Sequence, residues 1–328
     1  MEQEIKKKKL PLWSKIIIWV IGSIVGLFVV VWGGFNILKY PIYANYYGRM
    51  ENLGPIPGLN SGFVPQGICV SEENNIYILS GYRDSKKPSE IYLTGGNNNK
   101  DFETKCIKLY KNGAEFKGHV GGIATTGDNV YISNGSRIYI VSLTELLNST
   151  DNKIDIGEGV MVNSSASFVF TDDNYLYTGE FHDGGKYQTN HPYTTNDGVY
   201  HAIIEKYDIK DIDNNTGNKP LMVISIRNNV QGFAISPEGN LYLSTSYGLT
   251  SSIYYKYPTS SLSQTSQLFL DDVPVYYLDG EYETLYGPAM SEDLDYSNGK
   301  LICSTESGCN KYVFGKFFFA NYFFSLDF

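Results

Sequence analysis

Positive charge is in short supply beyond residue 40. The 328-residue chain has a formal net charge of −9, and residues 1–40 hold Lys6, Lys7, Lys8, Lys9, Lys15 and Lys39 against Glu2 and Glu4. Those forty residues carry +4, which leaves −13 for the remainder. A surface of that sign excludes nucleic acid and anionic lipid as partners of the main body, because phosphate binding needs a cationic face. Charged residues make up only 19%, against 15% aromatics that include 28 Tyr. That balance excludes global disorder and suits a packed β protein.

Familiar catalytic signatures are missing as well. The chain has no GxSxG elbow, no Walker loop and no HExxH helix, which sets aside the enzyme classes built on them. Asp151-Asn152-Lys153 and Asp211–Asn215 faintly resemble calcium loops, but they lack the Gly and terminal Glu of an EF-hand. Cysteine is limited to Cys69, Cys106, Cys303 and Cys309. Four cysteines allow three pairings. Either Cys303 and Cys309 clip a local hairpin, or all four are small buried side chains in a domain large enough to need no disulfide.

What is present begins with Ile16–Leu38, an uncharged run long enough for a membrane helix, which needs ~20 apolar residues. Trp13, Trp19, Trp32 and Tyr40 lie in or beside it, as interfacial anchors would. The preceding lysines predict a cytoplasmic N-terminus and an extracytoplasmic remainder, so the expected location is the cell membrane, crossed once. The alternative is a cleaved signal peptide, but the apolar run is long for one and Ile42-Tyr43-Ala44 is a poor cleavage site. The expected organisation is a basic tail (1–15), a signal anchor (16–38), a linker with a ring-closing strand (39–62) and one main domain (63–328).

That domain repeats a phrase. Gln66-Gly67-Ile68-Cys69-Val70-Ser71, a polar turn, then Ile76–Ser80 reappears as Gln231–Ser236, a turn, then Leu241–Ser244. Looser copies start at Gly122, Ser167 and Asp293, giving intervals of 55, 45, 65 and 61 residues. Short strands rich in β-branched and aromatic residues, recurring at ~40–50 residues plus long loops, are the mark of a β-propeller. The expected fold is all-β, a single propeller of five blades, with six as the alternative. Gln267–Leu270 is expected as the outer strand of blade 4. The chain ends after the third strand of blade 5, so the segment between Ile42 and Leu59 is expected to close the ring.

In such a ring, the loop entering each inner strand and the loop joining strands two and three lie on one face. That rule gathers Gln66, Tyr82, Arg83, His119, Ser165, His182, Gln231, Tyr247, Glu292 and Glu306 as candidate ligand-binding residues. Long loops on a rigid scaffold carry function, and Glu180–Tyr200 is the longest of this set. Paired carboxylates suit glycoside hydrolysis, so Glu180 and Glu306, with His119, are the candidate catalytic groups. Glu292 and His119 are the candidate ligands for a divalent cation in the channel, although no cofactor follows firmly from the pattern. Plainer roles stand beside these. Gln66 and Gln231 would staple neighbouring blades, His119 would pack between blades, and His182 with Asp183 would be solvated surface. Gly67, Gly122 and Gly232 read as close-approach glycines.

The segments Phe63–Gly67, Gly118–Ala124, Ser164–Phe168, Val230–Gly232 with Ser244–Gly248, and Glu306–Gly308 resemble a family of exported, membrane-anchored bacterial β-propellers with no assigned activity. More distantly, the blades are similar to gluconolactonase and strictosidine-synthase-like propellers. The latter resemblance implies a channel metal held by carboxylates and amides, a ligand set from which this chain departs. The expected function is binding of a small polar ligand, a glycan or a protein at the loop-rich face. The alternative is a metal-assisted or two-carboxylate hydrolase, of glycosidase or lactonase/esterase type.

Overall fold

The computed structural model describes residues 10–85, 87–172, 174–216, 219–318 and 320–328. The lysine run Lys6–Lys9, on which the orientation rests, lies outside them. The chain divides into two units, residues 1–42 and 43–328.

The first unit is a helix, Leu12–Ile42, with Pro41 in its last turn. By length and composition it can cross a membrane, and it is the one such helix among the described residues.

The second unit is a five-bladed propeller. Blade 1 runs outward as Phe63–Ser71, Ile76–Arg83, Glu90–Thr94 and Lys105–Lys111. Blade 2 is Gly122–Thr126, Asn129–Ser133, Arg137–Ser142 and Val160–Met161. Blade 3 is Phe168–Thr171, Tyr175–Gly179, Ala202–Asp208 and Met222–Ile226. Blade 4 is Val230–Ile235, Leu241–Thr245, Ser252–Tyr257 and Glu283–Gly287. Blade 5 is Ser291–Ser297, Lys300–Thr305, Tyr322–Leu326 and, outermost, Met50–Pro55. The last pairing is antiparallel, with Met50 opposite Leu326, and it closes the ring. Local chemistry explains the tight turns. Asn298-Gly299 joins two strands with φ of 52° and 78°, the left-handed pair that a two-residue hairpin requires.

One strand is placed differently from the expectation. Gln267–Leu270 is not the edge of blade 4. Its neighbourhood forms a hairpin, Leu262–Phe269 with Val273–Leu278, that lies on the outside of blade 3. Val273–Leu278 runs parallel to Met222–Ile226, with Val223 opposite Val275. Phe269, Val273 and Val275 pack with Ile203 and Val223. An exposed apolar edge is a liability, and this hairpin covers it. All four cysteines are free thiols, three of them buried, so no disulfide clips 303 to 309.

The core lies between blades rather than within one layer. Ile78, Leu93 and Ile107 of blade 1 meet Ile123, Val130 and Ile132 of blade 2. Phe63, Ile68 and Leu79 meet Ile302 and Phe323 across the closing seam. At the centre, inner strands approach so closely that side chains do not fit. A Cβ on Gly67 would lie 2.6 Å from the Ile123 nitrogen, and one on Gly122 2.5 Å from the Val169 nitrogen. Asp293 occupies the matching position in blade 5. It is fully buried, and one carboxylate oxygen accepts the Ile123 N–H at 3.2 Å. Burial foremost pushes its pKa well up.

Candidate functional site

Three β-bulges aim the repeat's polar residues. The pairing of inner and second strands slips between Pro65 and Gly67, between Val230 and Gly232, and between Ser291 and Leu294. The residues at those slips are Gln66, Gln231, Glu292 and Asp293. A bulge leaves a residue out of the ladder and re-aims its side chain. It also frees a carbonyl, and a buried carbonyl needs a donor. The Ser304 hydroxyl donates to the Gln66 carbonyl at 3.2 Å, and Ser244 to the Glu292 carbonyl at 2.7 Å. Ser80 donates to Val120 at 3.2 Å in the same manner. Each serine sits on the second strand of a neighbouring blade, so serines staple the ring. Gln66 instead spends its amide on the Pro65 carbonyl at 2.7 Å and on Glu306 at 3.1 Å. Gln231 reaches only the Ser246 carbonyl, at 3.5 Å.

These residues open into a cavity of about 1090 Å³ on the loop-rich face. Gln66, His119, Ser165, Gln231, Tyr247, Glu292 and Glu306 all line it. Glu292 is 3% exposed, and its carboxyl lies within hydrogen-bond reach of the Glu306 carboxyl. Two carboxyls in contact must share a proton. Burial foremost, then the Glu306 charge, pushes Glu292 well above the ordinary carboxylate range. Burial also raises Glu306, although Lys311 and the Gln66 amide pull it back. The pair titrates as one unit.

Aromatic side chains line the same cavity. Phe181 packs edge-on to Tyr187 at 5.7 Å and lies 6.2 Å from Tyr247. Asp183 shapes this loop by accepting the Gly185 and Tyr187 N–H groups, both at 2.8 Å. His119 stands across the mouth, its ring 4.8 Å from that of Tyr82. The Asn134 amide oxygen holds the backbone there, accepting from His119 at 2.6 Å and Val120 at 3.2 Å. Val120 has φ of +56°, a strained conformation for a β-branched residue and of the kind concentrated at functional sites. By surface area His119 is exposed in the open cavity; partial removal from water, then the Lys311 charge, pushes its pKa down, which favours the neutral ring.

The remaining candidates stand outside the lining. Tyr82 backs His119 and accepts from the Lys311 ammonium. Arg83 pairs with Glu90 at 3.0 Å and bonds Ser61. His182 stacks on His201 at 5.2 Å, and its Nδ1 accepts the Thr189 N–H at 3.0 Å. Its work is to hold Thr189, which lines the cavity. Glu180 is buried, accepting from the Ser165 and Ile203 N–H groups, both at 3.2 Å, and pairing with His191 at 2.9 Å. It orders the loop beneath Ser165, so the pairing of Glu180 with Glu306 expected from sequence is replaced by Glu292 with Glu306. Among the described residues, no group of three or more His, Cys, Asp or Glu side chains is placed to hold a metal ion. That includes Glu292 and His119.

One wall was not anticipated. Lys311, Tyr312, Val313, Phe314 and Gly315 also line the cavity. They belong to the loop joining strands two and three of blade 5, so the same-face rule that picked out Glu306 extends to them.

No family model matches the chain, and no curated protein matches it. Its likenesses are to solved propeller structures. The PQQ-bound aldose sugar dehydrogenase from Streptomyces coelicolor is 12% identical, with 80% of this chain and 93% of that one covered and a TM-score of 0.40. The calcium-binding protein regucalcin from Agrobacterium tumefaciens is 9% identical, over 86% and 93%, with a TM-score of 0.40. A nidogen/laminin complex gives 11% identity over 74% and 73%, with a TM-score of 0.37. At such identities and scores, the likeness carries no argument about activity.

Proposed function

We propose that this protein binds a small hydroxyl-rich ligand, a sugar or short glycan, in the central cavity of a propeller that its N-terminal helix anchors at a membrane. The observation that carries the reading is the composition of the cavity. Glu306 meets both Gln66 and Glu292, Phe181 packs with Tyr187 and Tyr247, and all of these line one cavity together with Gln231 and Phe314. A few convergent polar groups set against aromatic surface is the pattern of a site for a polar organic molecule. Donors and acceptors suit hydroxyls, and ring faces suit the C–H face of a pyranose. The volume exceeds the needs of one monosaccharide, which favours an oligosaccharide.

The contact between Glu292 and Glu306 supports recognition over hydrolysis by two separated carboxylates. Retaining glycosidases hold such groups roughly 5–5.5 Å apart and inverting enzymes roughly 6.5–9.5 Å apart. A shared proton makes one group a donor and the other an acceptor, which is the complement of a hydroxyl pair.

The test is thermal unfolding of the full chain in detergent against a panel of neutral mono- to tetrasaccharides. A ligand that binds only the folded state at a hundred times its Kd adds about 2.7 kcal/mol of apparent stability. We expect at least one saccharide to raise Tm, with the shift lost in Tyr247→Ala. A panel that leaves Tm unmoved at 20-fold steps up to ~50 mM overturns the reading, since ~1 mM affinity would then be detected.

A further inference from the structure

We propose that the preferred saccharide carries an anionic group, a carboxylate of the uronic-acid kind, and that Lys186 and Lys311 clamp it at the mouth of the cavity. This rests on the saccharide reading above and names the class of ligand within it.

The starting point is an imbalance. The chain beyond residue 40 carries −13, and six of its described cations pair with acids. Lys111 pairs with Glu158, Lys219 with Asp272, Lys300 with Glu51 and Arg83 with Glu90. Lys186 and Lys311 have no carboxylate at ion-pair distance among the described residues. Both are exposed, and both line the cavity. In a protein with a surplus of acid, what sets these two cations apart is that both face one cavity.

Their placement is specific. Lys186 comes from the long loop of blade 3 and Lys311 from the corresponding loop of blade 5. Lys186 stands 4.9 Å from the centre of the Tyr187 ring. Lys311 stands 4.7 Å from the Tyr82 ring and 4.9 Å from the Tyr312 ring, and donates to the Tyr82 hydroxyl. Tyr312 is close enough to act electrostatically on both ammonium groups. Ring faces hold each ammonium without neutralising it, although the Lys311 charge also acts on Glu306 in the same lining.

The rest of the cavity fits the same ligand. The acids within it are Glu292 and Glu306, and a proton between them leaves at most one negative charge, itself engaged by the Gln66 amide. His119 faces the same space, and its lowered pKa favours the neutral ring. With two lysines against that single charge, the lining is net positive. Lysine suits this role as a flexible point charge that meets a carboxylate without a fixed fork geometry. A uronate would place its carboxylate between the lysines and its hydroxyls toward the carboxyl pair and Gln231.

The experiment measures calorimetric binding of glucuronate, galacturonate and tri-galacturonate to the full chain in detergent, each beside its methyl ester. Esterification removes the charge and keeps the hydroxyls. We expect at least one acid to bind ten-fold or more tightly than its ester. That preference should shrink several-fold in Lys186→Met and in Lys311→Met, and on raising NaCl from 50 mM to 500 mM. Melting curves of both variants establish that they are folded. Equal affinity for acid and ester, or a preference that survives both substitutions, overturns the anion clamp. So does binding of galactose or maltotriose with no binding of any uronate, and in these cases the saccharide reading stands. If no saccharide of either kind binds, the saccharide reading fails and the clamp fails with it.

Discussion

Glu292 and Glu306 show how two ordinary residues become one unusual group. Each alone in water is an acceptor with a pKa near 4.5. Held together in a buried wall, they keep a proton that the unfolded chain releases above that pH. The folded pKa is the raised one, so the folded state binds more protons, and stability falls as pH rises from about 4.5 through the raised value. Glu292→Gln removes the ionisation and keeps a donor facing Glu306. We expect the variant to gain stability on the wild type as pH rises from 5 to 8. Urea melts of both proteins at the two pH values measure this, and a difference independent of pH contradicts the shared proton. Position in the repeat made Gln66, Gln231 and Glu292 visible from sequence. It could not pair Glu292 with Glu306, because that contact crosses a bulge and a register slip is invisible in a one-dimensional pattern. Glu180 follows its strand as Thr-Gly-Glu, much as Glu306 follows its own as Ser-Thr-Glu, yet backbone N–H groups and His191 claim its oxygens.

At the level of elements, the blades hold to one another through serines on second strands. Ser244 and Ser304 are next to last in their strands, in the motifs Leu-Tyr-Leu-Ser and Leu-Ile-Cys-Ser, and both are fully buried. Removing either hydroxyl strands a carbonyl that the bulge has freed. Ser244→Ala and Ser304→Ala should each cost ~1–2 kcal/mol, whereas Gln231→Ala should stay within ~0.5 kcal/mol. Chemical denaturation of the three variants compares them directly, and a Gln231→Ala loss as large as the serine losses reverses the assignment. Inner strands were legible because Gly67, Gly122 and Gly232 mark where side chains are crowded out. Outer strands were less so. Gln267–Leu270 has the composition of a blade edge, and only the packing of Phe269 and Val275 on blade 3 says which edge it covers. The Lys311–Gly315 wall lies in a loop whose position the repeat marks but whose residues the repeated strand phrase does not include.

For the whole molecule, the apolar helix and the propeller make separate demands. We expect the full chain to sediment with membranes and to resist alkaline carbonate, and a variant lacking residues 12–42 to leave the membrane fraction. Extraction of the full chain by carbonate would contradict a spanning helix. N-terminal sequencing that begins beyond Ile42 would show a cleaved leader instead. The joint between blade 5 and Met50–Pro55 also has a consequence in time. Met50 is made early and its partner Leu326 is two residues from the last residue given. The first strand must therefore wait, unpaired, while four blades and most of a fifth are synthesised. No product truncated before Tyr322 can seal the ring, and a pairing this distant in sequence is a slow one to find. A polypeptide stalled or terminated before Tyr322 lacks the partner of Met50–Pro55 and keeps the edges of blade 5 open.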